Sequence, residues 1–388
     1  MADLPQSRSA EMPPSGRVLP IILNILKLVA LLYIFLLSIA LFGAAFKMAG
    51  KGFSEQLIAT TTNPVVGLMI GLLATSLIQS SSSTTSIVVG MVAGGVLTVN
   101  GAIPIIMGAN MGTTVTNTLV AMTSMNRRTE FQRAFAGATM HDFFNLMSIA
   151  ILFPIEQATH FLEISATWLS TMLVGTDGTK FPNPVKAVVK PAVNQVKHFL
   201  QGFDLADGLV VGIMVVLALV GIFFALTFLT KVLKVMVLDR AEGVFTSNLR
   251  KSGLAAMLVG LMITVGVQSS SITTSLMVPL IGAGIVPLES AFAATLGANI
   301  GTTVTALLAS MTGTPGAVTV ALVHLLFNIS GILVIYPIAA VRRLPLRAAT
   351  ALAAATADKK YYAILYMVGI FFVMPLLFVF IDKLLKAS

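Results

Sequence analysis

The chain has no cysteine, which excludes disulfides, thiolate metal sites and thiol catalysis. It is also short of charge. Only 10% of its 388 residues are charged, against about 25% in a soluble domain, so too little polar surface remains to face water. Four histidines and fifteen carboxylates show no metal-ligand spacing such as HExxH, and no transition-metal site is expected. A third shortage is local. No Lys or Arg occurs between Lys51 and Arg127, or between Lys251 and Arg342.

What is abundant is apolar surface: 56% of residues are hydrophobic and the mean hydropathy is +0.95. The stretches 21–46, 208–230 and 361–381 are long enough for a hydrocarbon core of about 30 Å, which needs about 20 apolar residues. The chain reads as an all-α integral membrane protein. Its net charge of +9 gathers at the ends of apolar segments, as the positive-inside rule expects, so nucleic acid is set aside as a partner. Residues 1–20 are polar and rich in Pro and Ser and read as a disordered tail. The run that follows, 28–46, exceeds the apolar core of a signal peptide and reads as an uncleaved first helix, with Lys27 snorkelling to the interface.

An internal duplication organises the rest. Gln79-Ser-Ser-Ser-Ser-Thr-Thr-Ser86 returns as Gln268-Ser-Ser-Ser-Ile-Thr-Thr-Ser275, 189 residues on (79 to 268). Gly108-Ala-Asn-Met-Gly-Thr-Thr-Val-Thr116 returns at the same offset as Gly297-Ala-Asn-Ile-Gly-Thr-Thr-Val-Thr305. His141-Asp-Phe-Phe-Asn145 returns as His324-Leu-Leu-Phe-Asn328, after a second copy with a shorter turn. The predicted organisation is a first transmembrane repeat over 21–155, an extracytoplasmic linker over 156–207 and a second repeat over 208–341. A cytoplasmic or interfacial stretch and a last spanning helix, outside the repeat, fill 342–388. Expected elements are 21–46, an interrupted 62–98, 102–124 and 130–155, then 208–237, an interrupted 252–287, 290–311, 317–341 and 361–382.

Charge orients the halves. Arg127, Arg128 and Arg133 follow the first GANMGTTVT segment, whereas the matching turn of the second copy is uncharged. Glu156 and Glu163 follow Pro154, but Arg342, Arg343 and Arg347 follow Pro337. Each comparison flips sign, which predicts inverted-topology repeats with a cytoplasmic N-terminus in a cell's inner membrane.

Ser and Thr compete for backbone hydrogen bonds and favour helix starts, so each QSSS run predicts a helix break and a new N-terminus. A half-helix starting there aims N–H groups and positive dipole at the membrane centre, where an anion can sit between two such ends. This assigns substrate contact to Gln79, Ser80, Ser81, Ser82, Gln268, Ser269, Ser270 and Ser271. The alternative is close packing of small residues, but packing needs neither the glutamine nor its recurrence.

With no fixed cation nearby, a buried, multiply charged anion needs mobile cations to travel with it. Hydroxyl and amide oxygens suit an alkali ion, so Na⁺ is expected as the co-transported ion and no cofactor otherwise. Candidate ligands are Thr84, Thr85, Thr273 and Thr274 beside the serines. The GAN-x-GTT motif adds Asn110, Thr113, Thr114, Asn299, Thr302 and Thr303, and Asn145 and Asn328 lie beyond. Asp142 is the carboxylate deep inside an apolar segment, a functional pointer in a membrane. Its repeat mate is Leu325, so it gives one half a cation site, or is an acid satisfied by Asn145, a hydroxyl or a proton. His141 and His324 read as structural hydrogen-bonding groups, with proton sensing as the alternative.

The paired QSSS and GAN-x-GTTVT motifs, with the stretch 129–145, resemble the type II sodium-dependent phosphate cotransporter family over about 60–155 and 250–340. The resemblance implies a sodium–phosphate symporter with two re-entrant segments meeting at the substrate. By it Gln79, Ser80, Ser81, Gln268, Ser269 and Ser270 match the substrate and sodium motif, and Asp142 matches an aspartate that accompanies electrogenic transport. The short linker and missing cysteines resemble a bacterial member, since animal members carry a large cysteine-bearing outer loop. The second motif has Ile272 where the first has Ser83. The reading is therefore a symporter, not an enzyme, importing inorganic phosphate with sodium by alternating access through a bilayer. Transport of another oxyanion (arsenate, sulfate) or an anion channel are the alternatives, and a homodimer is left open.

Overall fold

A computed structural model describes residues 14–50, 63–174, 184–248 and 252–387. All regular structure among the described residues is helical. In chain order the first half runs α1 (Pro14–Ala49), α2 (Pro64–Ile78), α3 (Ser81–Gly94), α4 (Val99–Met111), α5 (Thr114–Met122) and α6 (Arg128–Thr159). Then come α7 (Phe161–Val174) and α8 (Pro184–Gln201). The second half runs α9 (Asp207–Asn248), α10 (Gly253–Val267), α11 (Ser270–Gly282), α12 (Leu288–Ser310) and α13 (Pro315–Ile335). The chain closes with α14 (Ala339–Asp358), α15 (Tyr361–Val368), a π turn (Gly369–Val373) and α16 (Met374–Ala387). Among the described residues, six stretches are long and apolar enough to cross a membrane: 22–49, 128–159, 207–236, 288–310, 315–335 and 361–386. Large apolar side chains such as Val216, Val220 and Met262 face outward, where lipid replaces water as the solvent.

Helix starts follow the local sequence. Asn63 caps α2 by accepting the Val65 N–H at 3.0 Å, with Pro64 in the first helical position. Thr98 caps α4 through the Gly101 N–H at 3.0 Å, and Ser252 caps α10 through the Ala255 N–H at 3.1 Å.

The observed elements depart from the expected ones in four places. The tail predicted over 1–20 lies outside the described residues up to 13, and α1 already begins at Pro14. The segment 102–124 is two helices, broken at Gly112 and Thr113, whereas its counterpart α12 is continuous. The stretch read as a linker holds α7, packed on α13, and α8, packed on α1; its residues 175–183 lie outside the described residues. The last helix is interrupted by the π turn.

Backbone contact joins α2 to α4 and α10 to α12. A Cβ on Gly71 would overlap the Ile105 carbonyl, and one on Gly108 the Leu68 carbonyl. In the second half Gly260 stands in the same way against Ala294, and Gly297 against Met257. All four glycines obey the 189-residue offset. The glycines of the GAN-x-GTT motif therefore serve close approach of paired helices, and this places the breaks at Gln79 and Gln268 beside the threonines that follow the motif.

Candidate functional site

At Gln79 and Gln268 the chain leaves helix geometry in the same way. Gln79 ends α2 in the left-handed region (φ 59°, ψ 25°) and Gln268 ends α10 there too (φ 58°, ψ 27°). Left-handed backbone at a non-glycine residue needs support, and the glutamine side chain supplies it. The Gln79 Nε2 donates to the Ser76 carbonyl, and its Oε1 accepts from the Thr116 hydroxyl at 2.7 Å. The Gln268 Nε2 donates to the Val265 carbonyl at 2.7 Å, and its Oε1 accepts from Thr305 at 2.9 Å. Each glutamine amide thus closes an open helix end, and a threonine of its own half holds the amide in place.

The next residue begins the new helix. Ser80 accepts the Ser83 N–H at 3.1 Å, and Ser269 accepts the Ile272 N–H at 3.4 Å, both from extended backbone. In the first copy the Ser83 hydroxyl also donates to Ser80 Oγ at 3.0 Å, so Ser80 accepts twice and keeps its own proton for a ligand. Ile272 removes that second bond from the other copy. Ser81, Ser82 and Ser270 are buried, at helix starts whose first N–H groups have no intrahelical acceptor. Hydroxyl protons and N–H groups gathered in this way can hold an anion without a basic side chain.

Of the candidate cation ligands, most of the threonines hydrogen-bond close to home. Thr84 donates to the Ser80 carbonyl at 3.1 Å and Thr85 to Ser82 at 3.2 Å. Thr273 donates to Ser269 at 3.3 Å, while Thr113, Thr302 and Thr303 bond the carbonyls of Asn110, Ala298 and Ile300. Thr274 and Ser275 both lie in hydrogen-bond range of Asn117 Oδ1, at 3.0 and 2.9 Å.

The asparagines are brought together in one buried network that crosses between the halves. His141 Nε2 donates to Asn299 Oδ1 at 2.7 Å, and His324 Nε2 donates to Asn110 Oδ1 at 3.2 Å. The Asn145 amide donates to the Asn110 carbonyl at 3.0 Å, and the Asn328 amide to the Asn299 carbonyl at 3.3 Å. With Asn299 Oδ1 as its acceptor, His141 Nε2 carries the proton and Nδ1 accepts from the Thr114 hydroxyl at 3.1 Å, while the Asn145 amide nitrogen lies 3.0 Å from the same Nε2. The side-chain oxygens of Asn110 and Asn299 are thus engaged by the histidines in this arrangement.

Asp142 lies beside this network and is 2% exposed. Its Oδ2 accepts from the Tyr366 hydroxyl at 2.7 Å; its Oδ1 makes no hydrogen bond, and the Thr114 hydroxyl, which bonds His141, lies close to the carboxyl. No basic side chain lies within ion-pair range of it among the described residues.

Sequence reasoning missed four contributors: Thr116, Thr305, Asn117 and Tyr366. The two threonines carried a signal, since both belong to the duplicated motif at constant offset. Tyr366 carried none, because α15 lies outside the repeat. A group of metal-capable side chains, Glu156, His160 and Glu163, sits at the α6–α7 junction. The Glu156 carboxylate there accepts the N–H groups of Leu162 at 2.5 Å and Glu163 at 3.2 Å, which accounts for it as the cap of α7.

A sequence profile described as Na⁺/Pi-cotransporter matches residues 34–175 and 222–373. Sodium-dependent phosphate transport protein 2B of Pongo abelii is 35% identical across 95% of this chain and 67% of its own length, and that of Homo sapiens matches equally. Sodium-dependent phosphate transport protein 2A of Rattus norvegicus is 34% identical across 91% of this chain and 67% of its own length. No solved structure matches the chain. The profile covers both halves of the duplicated core, motifs included, and the relatives span almost the whole chain; this multi-pass membrane protein belongs to the Na⁺/Pi-cotransporter family, a family of transporters and not of enzymes.

Proposed function

We propose that the protein imports inorganic phosphate with Na⁺ by alternating access, around a midplane site formed by the two QSSS breaks. The observation that carries this reading is the recurrence, at Gln79 and Gln268, of one broken-helix geometry in a region without basic side chains. An anion held there by hydroxyls and helix N-termini keeps an uncompensated charge, which a co-bound cation offsets. The relatives' names supply the pair of ions, phosphate and sodium. Asp142 Oδ1, which lacks a protein partner, is the oxygen we assign first to Na⁺. Those of Asn110 and Asn299 become available only when the histidine bonds open. In this reading the two halves lie inverted in a cell's inner membrane with the N-terminus cytoplasmic, and the opposite arginine pattern of the two halves supports the inversion.

Uptake of labelled phosphate into proteoliposomes, under an inward Na⁺ gradient and then a K⁺ gradient, tests the reading. Accumulation above equilibrium with Na⁺ alone is the expected result. Flux that merely equilibrates would mean a channel. Arsenate or sulfate accumulating in place of phosphate would keep the coupling and change the substrate.

A further inference from the structure

Tyr366 belongs to neither half of the duplication, yet it makes the hydrogen bond that holds the buried acid. Its ring is packed edge-on against Phe135 (6.4 Å between centroids) and Phe371 (5.9 Å). Phe371 reaches that position from the π turn Gly369–Val373, which begins three residues after Tyr366. A π turn inserts one extra residue in a helix and recurs at functional sites; here it aligns a ring that steadies the tyrosine. The hydroxyl so placed donates to Asp142 Oδ2 at 2.7 Å. The other oxygen, Oδ1, is buried without a partner, an uncommon state that calls for an explanation. A carboxylate held by one oxygen has its rotamer fixed and the other oxygen presented. That is the arrangement needed for single-oxygen coordination of a hard cation, and a tyrosine hydroxyl can keep donating to Oδ2 while the cation sits on Oδ1.

We infer that Tyr366 is a positioning residue for cation coupling: it orients Asp142 so that Oδ1 receives the co-transported Na⁺. The inference rests on the reading that Asp142 takes part in Na⁺ binding. It also gives α15 and α16, which the duplication does not explain, a part in the transport cycle, since loss of the tyrosine contact would free the carboxylate to turn away.

The test is Tyr366→Phe in the full-length protein, which removes one hydroxyl and keeps the ring packing. Phosphate uptake into proteoliposomes is measured against Na⁺ concentration, then against phosphate at saturating Na⁺. The expected result is a Na⁺ half-saturation raised about tenfold, from loss of a hydrogen bond to a charged group, with phosphate half-saturation unchanged. A second measurement needs no transport: the melting temperature of the detergent-purified protein in NaCl against KCl without phosphate. Wild type should be stabilised by NaCl, and Tyr366→Phe should lose most of that difference. Unchanged Na⁺ dependence, or a lower melting temperature with the same NaCl-minus-KCl difference, shows a merely structural contact and overturns the inference. Wild-type protein that takes up phosphate without regard to Na⁺ overturns the coupling reading itself.

Discussion

The first half places Ser83, Asn117 and Asp142 where the second places Ile272, Ala306 and Leu325. Both halves nonetheless keep the left-handed glutamine, the serine cap, the threonine on the glutamine amide and the reciprocal glycine contacts. What is common to the two is the backbone at the breaks and at the glycine contacts; what differs most is the polar side chains around them. Ser86 shows the effect. Its counterpart Ser275 bonds Asn117 at 2.9 Å, whereas Ser86 faces a half with alanine at the matching position and is buried without a partner. The duplication thus preserves a frame, and the first half carries the extra polar groups, a carboxylate among them, that make the site asymmetric.

The comparison can be broken most forcefully at its shared element. Gln79→Leu and Gln268→Leu each remove the amide that closes a helix end, and each should lower phosphate uptake to background while membrane insertion persists. Normal uptake by either variant, measured in proteoliposomes, would show that the breaks are not the site. Asp142→Leu copies the second half into the first. It should leave protein yield unchanged and abolish the response of uptake to an imposed K⁺ diffusion potential, because the charge that Na⁺ meets is gone.

The shared glycine contact should fail equally in both halves. Gly108→Val and Gly297→Val each drive side-chain atoms into a neighbouring backbone carbonyl, at a cost of about 3 kcal/mol, the upper end for overpacking. Thermal unfolding that drops in one half only would show that the two helix pairs are not equivalent. The smallest effect tests the difference. Ser275→Ala should cost about 1 kcal/mol through its lost bond to Asn117, while Ser86→Ala, with no bond to lose, should be near neutral or slightly stabilising.

The spanning helices and both breaks were legible in the sequence, because apolar length and a run of hydroxyls after glutamine act locally. The unequal fate of GANMGTTVT and GANIGTTVT was not. Nearly the same residues make a broken pair, α4 and α5, in one half and an unbroken α12 in the other, so tertiary surroundings decide. Helix α7 was hidden for a related reason. Its glutamates at either side of His160 look like the start of a polar loop, yet Glu156 turns back to cap the helix and its apolar residues pack on α13. The tyrosine on Asp142 is 224 residues away in sequence, beyond any local pattern. Of the residues read as cation ligands, the four asparagines were found as a group, but their mutual bonds with His141 and His324 emerged only from the fold.

Those crossed bonds carry a historical consequence. His141 of the first half bonds Asn299 of the second, and His324 of the second bonds Asn110 of the first. Residue i meeting j while j meets i is the signature of an isologous contact between two identical subunits. A half-length ancestor that paired with itself would have made both bonds from a single histidine and a single asparagine. Fusion into one chain would then free each copy to change alone, as Asp142 and Leu325 differ at matching positions.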